Sequence, residues 1–295
     1  MPNCRESSWV ALLKTRRLFI FAAGLCFCLG GCAQLTKPQQ ICPGKATSAE
    51  AIATLQARLD RAHPLYINSV QTRIGYLDDK KKRRESPLPM KIWLEPPHNV
   101  YMRGQATPGP KGVISMGSNQ EEFWLSIRPD INSYWWGKWS EVAGTEQLQI
   151  SPQVVLEALG LLDLGNPDRW FLSNSGAYDV LSLVDDRDAI LRRLHLYTCD
   201  YLPRKIEYFD RFGELLVLVE LADYEVLAGE FQIPTRIQIS NYAGDELTDW
   251  VKLKIKGALQ KEFNDRFRQR YFQRQEPRGY DKVHRVTRNG SILEE

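Results

Sequence analysis

From residue 47 to residue 62 the apolar positions recur at helical spacing, with Ile52, Leu55, Leu59 and Ala62 on one side. Thr47 is placed to cap this helix, Glu50 three residues on completes a capping box, and Pro64 ends the run by removing a backbone donor. The period then changes to two. Val70, Thr72, Ile74 and Tyr76 alternate with Ser69, Gln71 and Arg73, which predicts a strand with one buried face. Shorter candidates follow at 90–94, 100–105, 113–116, 123–127 and 134–139, joined by connections rich in Pro, Gly and Asn. Parallel neighbours need crossovers of a dozen or more residues, so connections this short predict an antiparallel meander. Ser151 and Pro152, a cap followed by a first-turn proline, open a second helix through Val154, Val155, Leu156, Ala158 and Leu159. Strands resume at 178–184, 190–198, 204–210, 214–224, 231–240 and 247–256, with Gly213 as the positive-φ residue of a hairpin.

The fold class this predicts is mainly β (α+β): one large curved antiparallel sheet, or half-open β-barrel, lidded by short helices. Two short helices cannot cover so much apolar face, so part of the concavity is expected to stay open as a site for an apolar ligand. Parity alone assigns Val70, Ile74, Ile92, Leu94, Trp124, Val217, Val219, Ile237 and Leu253 to that face.

Ahead of the globular pattern stands a different one. Arg5, Lys14, Arg16 and Arg17 precede an apolar and small-residue stretch from Leu18 to Leu29, and Leu29-Gly30-Gly31-Cys32 follows. The stretch suits a signal h-region and is too short to span a bilayer. The order of charge, apolar run, small residues and cysteine reads as a lipoprotein leader, with Cys32 as the lipidated residue. An ordinary secretory signal, or a buried apolar segment with a coincidental cysteine, is the alternative. On the first reading the chain divides into a leader (1–31), a lipidated Cys and tether (32–46), a globular domain (47–260) and a basic C-terminal helix and tail (261–295).

Removing the leader takes away four of the 39 Lys+Arg and one of the 36 Asp+Glu, so the mature chain is formally neutral. Overall charge therefore gives no support to nucleic acid as a partner. Of the six cysteines, Cys42 and Cys199 remain as thiols in an oxidising compartment. Their sequence separation carries no geometry, so a disulfide and two separate thiols both stand.

The five-residue cluster Lys80, Lys81, Lys82, Arg83 and Arg84 is either a solvated hairpin tip or a contact for anionic lipid headgroups. Trp93, Trp124, Trp135, Trp136 and Trp139 crowd the first half of the sheet. Alternation sets Trp135 and Trp139 on one side and Trp136 on the other, so unless both faces are covered one side is a rim that dips into lipid. Beyond residue 260, arginines interleave with Phe263, Phe267, Tyr271 and Phe272, read as a last helix and a disordered end. The four histidines are scattered, and HExxH, G-x-S-x-G, P-loop and G-x-G-x-x-G patterns are absent from the sequence. No cofactor, no metal and no enzymatic activity are expected.

Several features together resemble the LolA/LolB superfamily of periplasmic lipoprotein carriers and receptors. They are the lipobox, the helix before the first strand, and the proline-punctuated strand pair within 69–103. To these are added Glu122-Phe123-Trp124-Leu125 with its Pro129 turn, the Ser151-Pro152 helix, and the Asp210-Arg211-Phe212-Gly213 hairpin leading to Phe231-Gln232-Ile233-Pro234. The resemblance covers residues 46–256 and is one of layout. It implies a half-open barrel under a helical lid whose concave face takes acyl chains of a lipid or lipoprotein. A lipid-anchored member is closer to the LolB type, the receptor supplied by a soluble periplasmic carrier. Ala33, standing where an inner-membrane retention signal has Asp, favours the outer membrane. The longer mature chain and the extra tail depart from that receptor.

Overall fold

The two halves of the chain meet on one strand, β1 (Leu65–Leu77). Along one edge β1 pairs antiparallel with β14 (Glu246–Gln260), from Leu65 opposite Gln260 to Gly75 opposite Trp250. Along its other edge the first half pairs with β3 (Met90–Glu95) and the second half with β2 (Arg83–Pro87). Register shifts between Ile67 and Val70 mark an irregularity that resets the alternation. Leu65 and Ile67 before it and Val70 after it therefore all enter the same core, although strict period two from Leu65 would have turned Val70 outward.

The structure, a computed structural model, describes residues 40–77, 83–105, 113–128, 132–142, 152–227, 231–287 and 290–294. From β3 the meander runs through β4 (Asn99–Gln105), β5 (Val113–Ser118), β6 (Glu122–Arg128) and β7 (Ser133–Lys138). On the far side of β14 lie, in order, β13 (Gln232–Ala243), β12 (Leu215–Val226), β11 (Pro203–Phe209), β10 (Ile190–Tyr197), β9 (Tyr178–Val184) and β8 (Trp170–Ser175). The result is one curved, unclosed sheet. Its last two strands on the β7 side are β15 (Lys282–Thr287) and β16 (Gly290–Glu294).

Strands β2, β8, β15 and β16 were not expected from the sequence. The end read as disordered is a hairpin that widens the sheet, and β15 lies parallel to β7, the one departure from antiparallel pairing among the described strands. No tight turn links β7 and β15, so direction is not imposed by a connection. Trp139 does not continue β7; it opens the four-residue helix α2 (Trp139–Val142).

The concave face is covered by α1 (Ser48–Leu59), α3 (Pro152–Ala158) and the segment after α3. The Thr47 hydroxyl accepts from the Glu50 N–H, and the Glu50 carboxylate reaches back to the Ala46 N–H, one residue earlier than a capping box requires. Ala51, Ile52 and Leu55 of α1, Val154, Val155, Leu156 and Ala158 of α3, and Leu159, Leu161, Leu162 and Leu164 beyond it share one cluster with the sheet. On the other, outer face, α4 (Asp265–Tyr271) lies against Trp93 and Tyr101, which alternate with core positions of β3 and β4.

Candidate functional site

Seven of the nine positions assigned to the concave face, Val70, Ile92, Leu94, Val217, Val219, Ile237 and Leu253, are buried in a single apolar cluster, and Ile74 packs against it half-buried. They come from β1, β3, β12, β13 and β14, so parity in strands far apart in sequence converges on one surface. That surface is filled: the four leucines after α3 and the inner residues of α1 and α3 occupy the space over it.

Trp124 is the exception. Register sets it opposite Gly117 and Trp136, whereas its neighbour Leu125 stands opposite Met116, a core residue. Trp124 therefore faces outward. Its indole lies across Gly117, where an added Cβ would fall 2.2 Å from the ring. Both Phe123 and Trp124 are buried, so burial preference alone could not tell which of the two points inward.

The cover is pinned by a charge cluster that the sequence reading missed. Glu157, on α3, is fully buried and forms an ion pair with Arg192 on β10, itself 6% exposed. The Tyr208 hydroxyl donates to the same carboxylate at 2.6 Å, and Gln153 donates at 3.1 Å. Arg192 also donates to the carbonyl of Asp163 and lies 5.0 Å from the centre of the Trp170 ring, whose Nε1 donates to the Leu164 carbonyl at 2.6 Å. Burial pushes the Arg192 pKa down, but Glu157 beside it outweighs this and holds it above its ordinary value. Burial, reinforced by Glu157, pushes Tyr208 far up, so it stays a neutral donor. The signal was in the sequence: Arg192 shares parity with Ile190, Leu194 and Leu196, and Glu157 interrupts an apolar helix.

No family model matches this chain, and no curated protein matches it. Among solved structures, a domain described as that of an outer membrane lipoprotein-sorting protein from Vibrio parahaemolyticus is 12% identical, with 74% of this chain and 96% of that chain covered at a TM-score of 0.46. A LolA superfamily protein from Nitrosomonas europaea is 14% identical, covering 72% and 96% at a TM-score of 0.47. In layout the chain is similar to LolA-superfamily proteins. A DUF1329 family protein from Desulfovibrio piger is similar to the same degree, at 11% identity, 77% and 95% coverage and a TM-score of 0.48. No residue's role in this chain is taken from them.

Trp135 and Trp139 both pack on a second cluster of Phe123, Val142 and Val286. Trp135 stacks on His284 with ring centres 5.4 Å apart, and the Trp139 Nε1 donates to the Asn119 carbonyl at 2.9 Å. Trp136 is on the opposite face under the Arg274 guanidinium, 3.9 Å from the ring centre. Both faces of β7 are thus covered. Cys32, Lys80, Lys81 and Lys82 lie outside the described residues, Arg83 is described only as the first residue of β2, and Arg84 is exposed. Cys42 and Cys199 form a disulfide across 157 residues, which ties the end of the tether to the loop between β10 and β11. Among the described residues no group of three or more His, Cys, Asp or Glu is placed to hold a metal ion.

Proposed function

We propose that this chain is an envelope lipoprotein, held at the outer membrane through Cys32 and facing the periplasm, whose concave face takes acyl chains of a lipid or lipoprotein delivered by a soluble carrier. The observation that carries the reading is the single apolar surface drawn from β1, β3, β12, β13 and β14, covered only by short segments. Transfer is passive: acyl chains take the place of the leucines after α3, so the concave face itself stays out of water. The Glu157–Arg192 pair sets how firmly the cover is shut, since removing one partner leaves the other charge buried and uncompensated. No nucleotide or metal enters this scheme.

A second reading has its own support. The cover is closed in this structure, and closed packing is what a protein-interaction module of the envelope, without lipid cargo, requires.

Native mass spectrometry of the full chain carrying Cys32→Ser, with lipid extraction and a fluorescent fatty-acid probe, separates the two. Co-purifying acyl lipid, probe uptake lost in Ile237→Asp, and faster uptake in Glu157→Gln, which leaves Arg192 buried without its counter-charge, are the expected results. A protein free of lipid that takes up no probe with the pair intact or broken leaves the interaction module.

A further inference from the structure

The outer face of the sheet carries its charges unevenly. Basic residues stand opposite one another on neighbouring strands: Lys91 opposite Arg103 on β3 and β4, Arg73 opposite Lys252 on β1 and β14, and Lys254 opposite Arg236 on β14 and β13. Each is exposed and flanked along its strand by buried or half-buried residues, so all of them point away from the concave face. Like charges directly opposite one another destabilise a sheet. Two of these cations are relieved, Arg73 by Glu85 at 3.1 Å and Arg236 by Asp223. Lys91, Arg103, Lys252, Lys254 and the exposed Lys256 have no acidic partner among the described residues.

The imbalance is local. From residue 32 onward basic and acidic residues are equal in number, so these cations are gathered on one face and are not a share of a general surplus. A second, apolar row borders the patch. Leu259 stands opposite Tyr66, Tyr66 opposite Trp93 and Trp93 opposite Tyr101. Leu259 is 56% exposed, Tyr66 and Trp93 are half-buried with ring centres 5.3 Å apart, and the Lys261 ammonium lies 5.2 Å from the centre of the Tyr66 ring. Lysines beside half-buried Trp and Tyr make a surface suited to a membrane interface, where the rings and the lysine stems meet apolar matter and the charges stay among headgroups.

We infer that this face lies against an anionic bilayer leaflet, with Lys91, Arg103, Lys252, Lys254 and Lys256 among the headgroups and Leu259 at the rim. Headgroup charge offsets the repulsion between the opposed cations, which the fold itself leaves unbalanced. A protein partner fits less well, because protein interfaces are depleted in lysine and centre on a desolvated pocket, whereas lysines predominate here on an exposed sheet surface. The bilayer as occupant rests on the envelope anchoring proposed above. Acyl binding is not required, since the concave surface is the opposite face of the same strands.

Residues 41–295 form a compact unit by themselves, so the form tested is the chain from residue 32 carrying Cys32→Ser, free of leader and lipid. Sedimentation with vesicles of phosphatidylcholine alone, and of phosphatidylcholine with equimolar phosphatidylglycerol, measures binding at low and at physiological salt. Binding is expected to the anionic vesicles only, and to weaken as salt rises. With each cation near the surface contributing about fivefold, Lys252→Gln/Lys254→Gln/Lys256→Gln weakens it on the order of a hundredfold and Lys91→Gln/Arg103→Gln about 25-fold. A control with Gln at the exposed positions Lys138, Arg187 and Arg211 binds as the parent does. Since the triple lysine variant loses repulsion, its urea midpoint is expected to stay level or rise. Equal binding to both kinds of vesicle, or equal losses in the control and the lysine variant, overturns the docking face. So does binding of soluble polyglutamate without binding of vesicles, which makes the partner an acidic protein. Uptake of a fluorescent fatty acid, read on the same samples, is expected to be the same in the parent and the lysine variant. Anionic vesicle binding without uptake supports the face and removes the acyl reading; uptake without vesicle binding does the reverse.

Discussion

On the outer face of the sheet Glu207 accepts from His195 Nε2 at 2.7 Å and from the Lys205 ammonium at 2.8 Å. Burial raises its pKa, yet the two donors outweigh this and bring it from an ordinary 4.5 to about 2. A carboxylate depressed in the folded state contributes stability that is complete above the unfolded value and is lost as pH falls through the folded one. Wild type is therefore expected to exceed Glu207→Gln in urea midpoint at pH 6, and the gap should close between pH 4.5 and about 2; a gap unchanged at pH 2.5 would count against this cluster. The same scale shows what a sequence hides. Arg192 sits on a core-parity position, and a single chain gives no sign that Glu157, 35 residues earlier, is there to meet it. Trp124 and Phe123 are adjacent and equally apolar, so only the ladder to Gly117 and Trp136 determines which faces out.

At the scale of elements, alternation and brief connections were enough to find β1, β3 to β7 and β9 to β14, although both faces of β7 are covered. They failed for β8, whose Trp170 is buried while Phe171 is 56% exposed and whose last three residues are polar, and for β15, whose charged residues resemble a solvated tail. The helix α4 shows why the tail misled. Phe263 and Phe272, buried at 4% and 2%, flank an aromatic stack in which Phe267 and Tyr271 meet Trp93. Two of the arginines in this stretch are structural ties, Arg268 to Glu95 at 2.8 Å and Arg274 to Glu122 at 2.8 Å. Phe272→Ala is expected to cost about 3–5 kcal/mol through lost burial and the cavity left behind. Arg268→Ala should cost clearly less, because the guanidinium is 40% exposed and its ion pair is screened by solvent. Chemical denaturation of both variants, followed by tryptophan fluorescence, checks the contrast; equal losses would mean that the ion pair, not the stack, holds α4 in place.

For the molecule as a whole, β1 joins the N-terminal meander to the C-terminal strands, and the disulfide closes a loop of 157 residues across that join. Cross-linking so long a loop restricts the unfolded chain, and breaking it is expected to lower stability by about 2–5 kcal/mol. Unfolding of Cys199→Ser, compared with wild type in the presence and absence of reductant, measures this; reductant should move only the wild type. The large curved sheet and short helices were legible in the alternation and the brief connections. That the concave face is filled was not, since the lengths of helices say nothing of how the leucines after them fold back.

The tether offers a last consequence. If Cys32 is the membrane-held end, as proposed, nine residues lie between it and Cys42. Ten Cα-to-Cα steps reach at most about 35 Å. Anchored in that way, the domain cross-linked to Cys42 would stay within that reach of the headgroups, at an effective lipid concentration in the millimolar range or above. Under that confinement a site with only millimolar intrinsic affinity is substantially occupied, so a weak titration in free solution and continuous engagement at the bilayer are the same property seen at two concentrations.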